Sequence, residues 1–178
     1  AVGMMAVPQA RVPFDAQRIT LDSLQIIRLL LDHAGTVEEA LALLQQYNID
    51  WGGGPPLHYL VADASGASAI VEFVQGEMQV HRNEESWQLA TNFVLAGTAP
   101  EARKTLCWRY ARAEETLQGR AGDLLQPEAM DILQDVSQPI TMWSVVYGLT
   151  TGEISIAMGR KYDRIHDFKL DMEDGNAR

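Results

Sequence analysis

Residues 57–74, Leu57-His58-Tyr59-Leu60-Val61-Ala62-Asp63-Ala64-Ser65-Gly66-Ala67-Ser68-Ala69-Ile70-Val71-Glu72-Phe73-Val74, decide the fold class. Apolar side chains recur here with strand periodicity, and Asp63-Ala64-Ser65-Gly66 supplies a tight turn between two runs of β-forming residues. Residues 57–62 read as one strand and residues 68–74 as its antiparallel return. Gln75-Gly76-Glu77 turns the chain again, into a third strand over 78–81. Residues 87–93 are expected to form a fourth. Just upstream, Trp51-Gly52-Gly53-Gly54-Pro55-Pro56 can continue neither helix nor strand, so the periodicity changes there.

Working outward toward the N-terminus, the pattern is helical. Asp22 or Ser23 can cap a helix whose stripe is Leu24, Ile27, Leu30 and Leu31, at spacings of three and four. Gly35 ends it. Thr36-Val37-Glu38-Glu39 has the form of a capping box, opening a second helix to about Tyr47 that buries Val37, Leu41 and Leu44. Residues 8–20, with Pro8 and Pro13, read as a loop, and residues 1–7 are strand-like. Toward the C-terminus, Pro100 opens a helix to about Leu117 with Ala102, Leu106, Ala113 and Leu117 on its buried side. Pro127 begins another, carrying Ala129, Ile132, Leu133 and Val136. Strands are expected at 142–149, 153–158 and 164–170, and residues 172–178 form a polar tail. This is an α+β layered domain of six or seven largely antiparallel strands.

Composition narrows the function. A chain of 178 residues suits one domain, and a formal net charge of −10 argues against nucleic acid, whose phosphates need a surplus of Lys and Arg. No stretch approaches the ~20 apolar residues of a membrane span. The single cysteine excludes an internal disulfide, and no Cys/His pair has zinc-ligand spacing, so neither metal nor cofactor is expected. No signal segment is visible, which favours a cytoplasmic location. The chain opens inside a strand-like run without an initiator Met, so it reads as a piece of a longer protein.

Few residues stand out as chemically equipped. Gly52-Gly53-Gly54 lacks the Lys and Ser/Thr of a phosphate loop and reads as a turn. His33, His58, His81 and His166 are far apart and read as surface or cross-strand residues. Cys107, inside the expected helix 100–117, reads as a small buried hydrophobe. Asn92 has two readings, a turn cap or an amide that donates to a developing oxyanion. Arg109 and Arg112 lie three apart on one helix face. They either pair with Glu101, Glu114 or Glu115 in solvent or clamp a carboxylate in a site. Phe14, Trp51 and Phe93, in the loops 8–20, 48–56 and 93–99, suggest a binding site for an apolar acyl group.

The order of these pieces resembles the choloylglycine hydrolases, the family of bile salt hydrolases and penicillin V acylases. It is carried by "RLLLDHAGTVEEALALL", "HYLVADASGASAIVEF", "ATNF", "RYAR" and "TMWSVVYGLTTGEISIA", and it covers the chain from Ala1 to about Leu170. The resemblance implies the αββα four-layer fold of N-terminal-nucleophile hydrolases, truncated at the N-terminus, with residues 1–171 as the C-terminal portion of one such domain. It also implies hydrolysis of a linear amide C–N bond in a small N-acyl substrate by an N-terminal cysteine whose α-amine serves as base. Asn92 falls on the oxyanion-hole asparagine, and Arg112, ranked above Arg109, on the site arginine.

Departures from the family pattern set further expectations. Ala1 is no nucleophile, and the family's supporting Arg and Asp, with a second asparagine, fall upstream of this chain. The chain alone is therefore expected to be inactive, and to form homo-oligomers or to associate with a missing N-terminal fragment. A non-catalytic binding or assembly module with the same fold, and a related acyltransferase, are the alternative readings.

Overall fold

The structure, a computed structural model, describes residues 1–172; past Met172 the expected polar tail lies outside the described residues. The chain divides into two compact units, Ala1–Ala111 and Arg112–Arg178. In chain order the elements of the first are β1 (Val2–Ala6), β2 (Thr20–Asp22), α1 (Ser23–His33), α2 (Val37–Leu44), β3 (Asn48–Asp50), β4 (Leu57–Ala62), β5 (Ser68–Val74), β6 (Glu77–Arg82) and α3 (Pro100–Leu106). The boundary falls within α4 (Trp108–Gly119), and α5 (Gln126–Asp135), β7 (Trp143–Tyr147), β8 (Glu153–Met158) and β9 (Ile165–Lys169) follow. The secondary structure is mixed helix and strand, as the sequence pattern requires.

The strand pair that decided the fold class is the middle of a four-stranded antiparallel sheet, ordered β1-β4-β5-β6. Tyr59 faces Val71, Leu60 faces Ile70, and Ile70 in turn faces His81. The opening strand β1 pairs with β4, from Val2↔Val61 to Ala6↔Leu57. The motif Asp63-Ala64-Ser65-Gly66 does more than turn the chain. One carboxylate oxygen of Asp63 accepts the Ser65 amide at 2.8 Å, and the other accepts the Val37 amide at 2.9 Å, in the first turn of α2. A turn residue thus ties a helix start to the sheet.

Side-chain alternation gives this sheet two different faces. Tyr59, Val61, Ala69, Val71 and Phe73 pack with Ile26, Leu30, Val37, Ala40, Leu41 and Leu44 of α1 and α2 in the principal core. Each of the larger aliphatic side chains and Phe73, taken from water, contributes roughly 1.5–3 kcal/mol, and the alanines less. Leu60 and Ile70 point the other way and pack with Leu89, Ala90, Phe93, Leu95, Cys107 and Tyr110. The caps form as expected: Asp22 accepts from the amides of Leu24 and Gln25, and Thr36 and Glu39 close their capping box.

Several expectations fail for identifiable reasons. Leu24 and Leu31 are 64% and 57% exposed, because α1 meets the sheet along the narrower line of Ile26 and Leu30. Leu106 is likewise exposed. Helix α2 stops at Leu44, and the chain then enters β3, whose parallel pairing with β2 involves only three residues a side, too few to show as periodicity. Residues 87–93 form no strand; Leu89, Ala90 and Phe93 lie under a sheet face instead of along an edge. The helix expected over 100–117 is broken at Cys107, whose extended backbone (φ −146°, ψ 113°) closes α3 before α4 begins.

In the second unit β7, β8 and β9 form a three-stranded antiparallel sheet with α5 packed against β7. Ser144 and Ala157, opposite one another, are buried on one face. The Ser144 hydroxyl lies 2.8 Å from that of Tyr162, which also donates to the Leu133 carbonyl. Trp143, Tyr147, Met158 and Phe168 stand at least half exposed on the other face. No helix among the described residues is long and apolar enough to cross a membrane.

Candidate active site

The second face of the four-stranded sheet carries polar residues that the core face does not. His58 shares it with Leu60, and Glu72 shares it with Ile70, by the two-residue repeat of each strand. The Glu72 carboxylate is buried and accepts four hydrogen bonds. Its Oε1 receives His58 Nδ1 at 3.0 Å and the Leu95 amide at 2.8 Å. Its Oε2 receives His81 Nε2 at 3.1 Å and the Ala96 amide at 2.8 Å. The other nitrogen of His58, Nε2, meets the Thr91 carbonyl at 2.7 Å. Burial by itself would lift the Glu72 carboxyl. The bonds from His58, His81, Leu95 and Ala96 outweigh it and hold the group well below the usual carboxylate range.

Asn92 follows Thr91 in the segment lying over this face. Its Oδ1 accepts from Arg109 Nη2 at 2.6 Å, and its Nδ2 donates to the Ala6 carbonyl at 3.0 Å. A guanidinium only donates and a peptide carbonyl only accepts, so the two contacts fix which end of the amide is which. One N–H of Nδ2 is used, and the other is left on an exposed side chain.

Arg109 sits in the first turn of α4, directly after the break at Cys107. The break makes Cys107 the residue that precedes a helix, not one in its middle. Burial raises its thiol. The Tyr110 amide, the Thr91 hydroxyl, the Arg109 amide and the Arg109 charge act against burial and prevail, so the group lies below its ordinary value. The break thus places the thiol beside the first turn of α4.

The sequence-selected residues are thus partly brought together. Asn92 and Phe93 are adjacent to Arg109 and Tyr110, with Phe93 edge-on to Tyr110 at a ring separation of 5.2 Å. Trp51 packs on the opposite side of the sheet, edge-on to Phe73 at 5.9 Å, within the principal core. Phe14 is 77% exposed. These three aromatics therefore do not line one pocket. Under the 8–20 loop lies a cavity of about 50 Å³ bounded by Val12, Tyr47, Phe73 and Met78, on the core side. Arg112, ranked first by the resemblance, engages Asp135 at 2.9 Å and Glu115 at 3.4 Å, and the arginine hydrogen-bonded to Asn92 is Arg109.

Two residues escaped the sequence reading. His58 and Glu72 are each about 1% exposed: of the surface and cross-strand readings of His58 the cross-strand one holds, and its burial and its partner Glu72 were not foreseen. A signal was present: in "AIVEFV" a charged residue occupies a position that strand alternation assigns to the same face as Ile70. Among the described residues no group of three or more His, Cys, Asp or Glu side chains could hold a metal ion.

Comparison with known proteins points in one direction. Residues 10–92 match the family described as linear amide C–N hydrolases, choloylglycine hydrolase family. No curated protein sequence matches the chain. The fold is similar to that of a mutant conjugated bile acid hydrolase from Clostridium perfringens, with a TM-score of 0.75 and 12% identity over 95% of this chain and 69% of that one. A second variant of the same enzyme gives 0.76 and 12%, over 94% and 69%. Penicillin V acylase from Agrobacterium tumefaciens gives 0.70 and 21%, over 97% of this chain and 63% of that one. The chain thus spans roughly two thirds of the length of these enzymes, and at these identities the likeness carries the fold. The family is the one that the ordered motifs resemble.

Proposed function

We propose that these residues form the oxyanion-stabilising part of a site that hydrolyses a linear amide C–N bond. As a nucleophile attacks the amide carbonyl, negative charge develops on its oxygen, and a preoriented N–H directed at that oxygen lowers the barrier. Asn92 Nδ2 is that donor. Arg109 holds the amide from its oxygen side and adds positive charge nearby, while the Ala6 carbonyl holds it from the other. The observation that carries the reading is this two-sided restraint, which leaves one N–H of an exposed amide unused. A donor already oriented needs no reorganisation when the charge appears.

In this reading the nucleophile is a cysteine at the N-terminus of the mature polypeptide, outside these 178 residues. Support comes from Cys107, the single cysteine, which lies inside the chain between α3 and α4 and so has no free α-amine to serve as its base. The substrate is a small N-acyl amide. In the full-length gene product, Asn92→Ala should lower kcat by about 10²–10³-fold, equivalent to ~2.7–4 kcal/mol. Arg109→Gln should lower it as well and Arg112→Gln should leave it near the parent value. A change in KM alone on Asn92→Ala would remove Asn92 from the oxyanion role. Hydrolysis by the 178-residue chain that is lost on Cys107→Ala would overturn the placement of the nucleophile.

A further inference from the structure

The segment that carries Asn92 has no helix or strand of its own between Arg82 and Pro100. Something other than a backbone ladder must therefore hold its polar groups. The contacts on the second sheet face supply it. Thr91 contributes the carbonyl of the very peptide group whose nitrogen belongs to Asn92, and that carbonyl is bound by His58 at 2.7 Å. Three and four residues beyond Asn92, the Leu95 and Ala96 amides are bound by Glu72, both at 2.8 Å. The segment is therefore pinned on both sides of Asn92, by two side chains that sit next to each other on the sheet.

The chemistry of the pins is directional. The Thr91 carbonyl can only accept, so His58 Nε2 carries a proton. Glu72 Oε1 is a carboxylate oxygen already accepting the Leu95 amide, so His58 Nδ1 donates as well. The imidazole thus couples the carboxylate to the Thr91 carbonyl through two charge-assisted bonds, both away from water. His81, with a side chain 32% exposed, closes the array from β6. None of these groups reaches the free N–H of Asn92, so none is a donor to the reaction itself.

We infer that His58 and Glu72 are positioning residues for Asn92, fixing through the Thr91 carbonyl and the Leu95 and Ala96 amides the peptide plane from which its side chain reaches the reacting carbonyl. The inference rests on the oxyanion reading of Asn92. A misplacement of the donor by about 1 Å is enough to cost ~10²-fold in rate.

The test is a double-mutant cycle in the full-length gene product, read against a small N-acyl amide that the parent hydrolyses. His58→Gln should lower kcat by about 10- to 100-fold with little change in KM. In the Asn92→Ala background the same substitution should have almost no effect, because the group it positions is gone. An equal fractional loss in both backgrounds would show a general structural role and overturn the inference, as would an unchanged kcat in the first. Hydrogen exchange gives the second readout. The Leu95 and Ala96 amides should exchange faster in His58→Gln while the β4 and β5 amides keep parent rates. Unaltered exchange at Leu95 and Ala96 would sink the inference; full turnover in Asn92→Ala alone would sink the oxyanion reading. Should His58→Gln fail to fold, His81→Gln at the exposed end takes its place. It should loosen Ala96 and lower kcat by a smaller factor, and no change in either would refute the inference.

Discussion

The two faces of β4 and β5 use the same backbone for opposite purposes. One face meets α1 and α2 through Tyr59, Val61, Val71 and Phe73, and its contacts are mainly apolar and non-directional, with one long hydrogen bond from the Tyr59 hydroxyl to the Ser23 carbonyl. The other buries His58 and Glu72 among Leu60 and Ile70, and its contacts are hydrogen bonds with fixed partners. An apolar face tolerates rearrangement at modest cost, since any shape of similar volume excludes water. A buried carboxylate does not, because each lost partner leaves a charge or an amide without compensation. Directional contacts are therefore concentrated at the face beneath Asn92, not at the face that supplies most of the burial.

Substitutions on the two faces should expose that contrast. The largest effect is expected from Glu72→Ala, which strands the two imidazoles and two buried amides at about 3–5 kcal/mol, read as a fall in the urea midpoint. Leu30→Ala on the helix side should cost ~2–5 kcal/mol through a cavity, without the loss of turnover expected of Glu72→Ala. If Leu30→Ala lowers kcat as much as Glu72→Ala does, the two faces are not functionally distinct.

Acid sharpens the comparison further. The Glu72 carboxyl is depressed in the folded state, so the unfolded chain takes up that proton first as the pH falls below about 4.3. The stability it contributes is fully present at neutral pH and is lost progressively toward the strongly acidic range. Glu72→Gln should therefore show a shallower loss of stability than the parent between neutral pH and strong acid; identical slopes would contradict the shift. The smallest effect is expected at the far edge of the apolar side. Thr36→Ala should cost about 1 kcal/mol by removing the cap of α2, with turnover unchanged.

Much of this architecture was legible in advance because its causes are local. The meander, both N-terminal caps and the turn at Gly66 follow from residues within a few positions of one another. The exposure of Leu24 and the break at Cys107 were not legible. A helical stripe says that a face is apolar, not which part of it a neighbouring sheet will touch. At Cys107 the residue could equally have continued a helix or ended one, and packing beside Ile70, Leu95 and Tyr110 is a tertiary matter. The site divides in the same way. Asn92 was singled out from its residue type and from family resemblance. Which arginine meets Asn92 depends on where α4 starts, and a one-residue change of register turns a helical side chain by about 100°.

Residue pattern alone was enough for the α+β class, the strand order of the meander, the capped helices, the family resemblance and the candidate asparagine, since each depends on short-range pattern or on the order of motifs. Three-dimensional packing was needed for the arginine that meets that asparagine and for the joining of His58 to Glu72 and Thr91. The His58–Glu72, Asn92–Arg109 and His58–Thr91 contacts bridge 14, 17 and 33 residues of chain. The reason is physical: hydrogen-bond partners are settled by distance and angle in three dimensions, and a linear pattern carries information about neither.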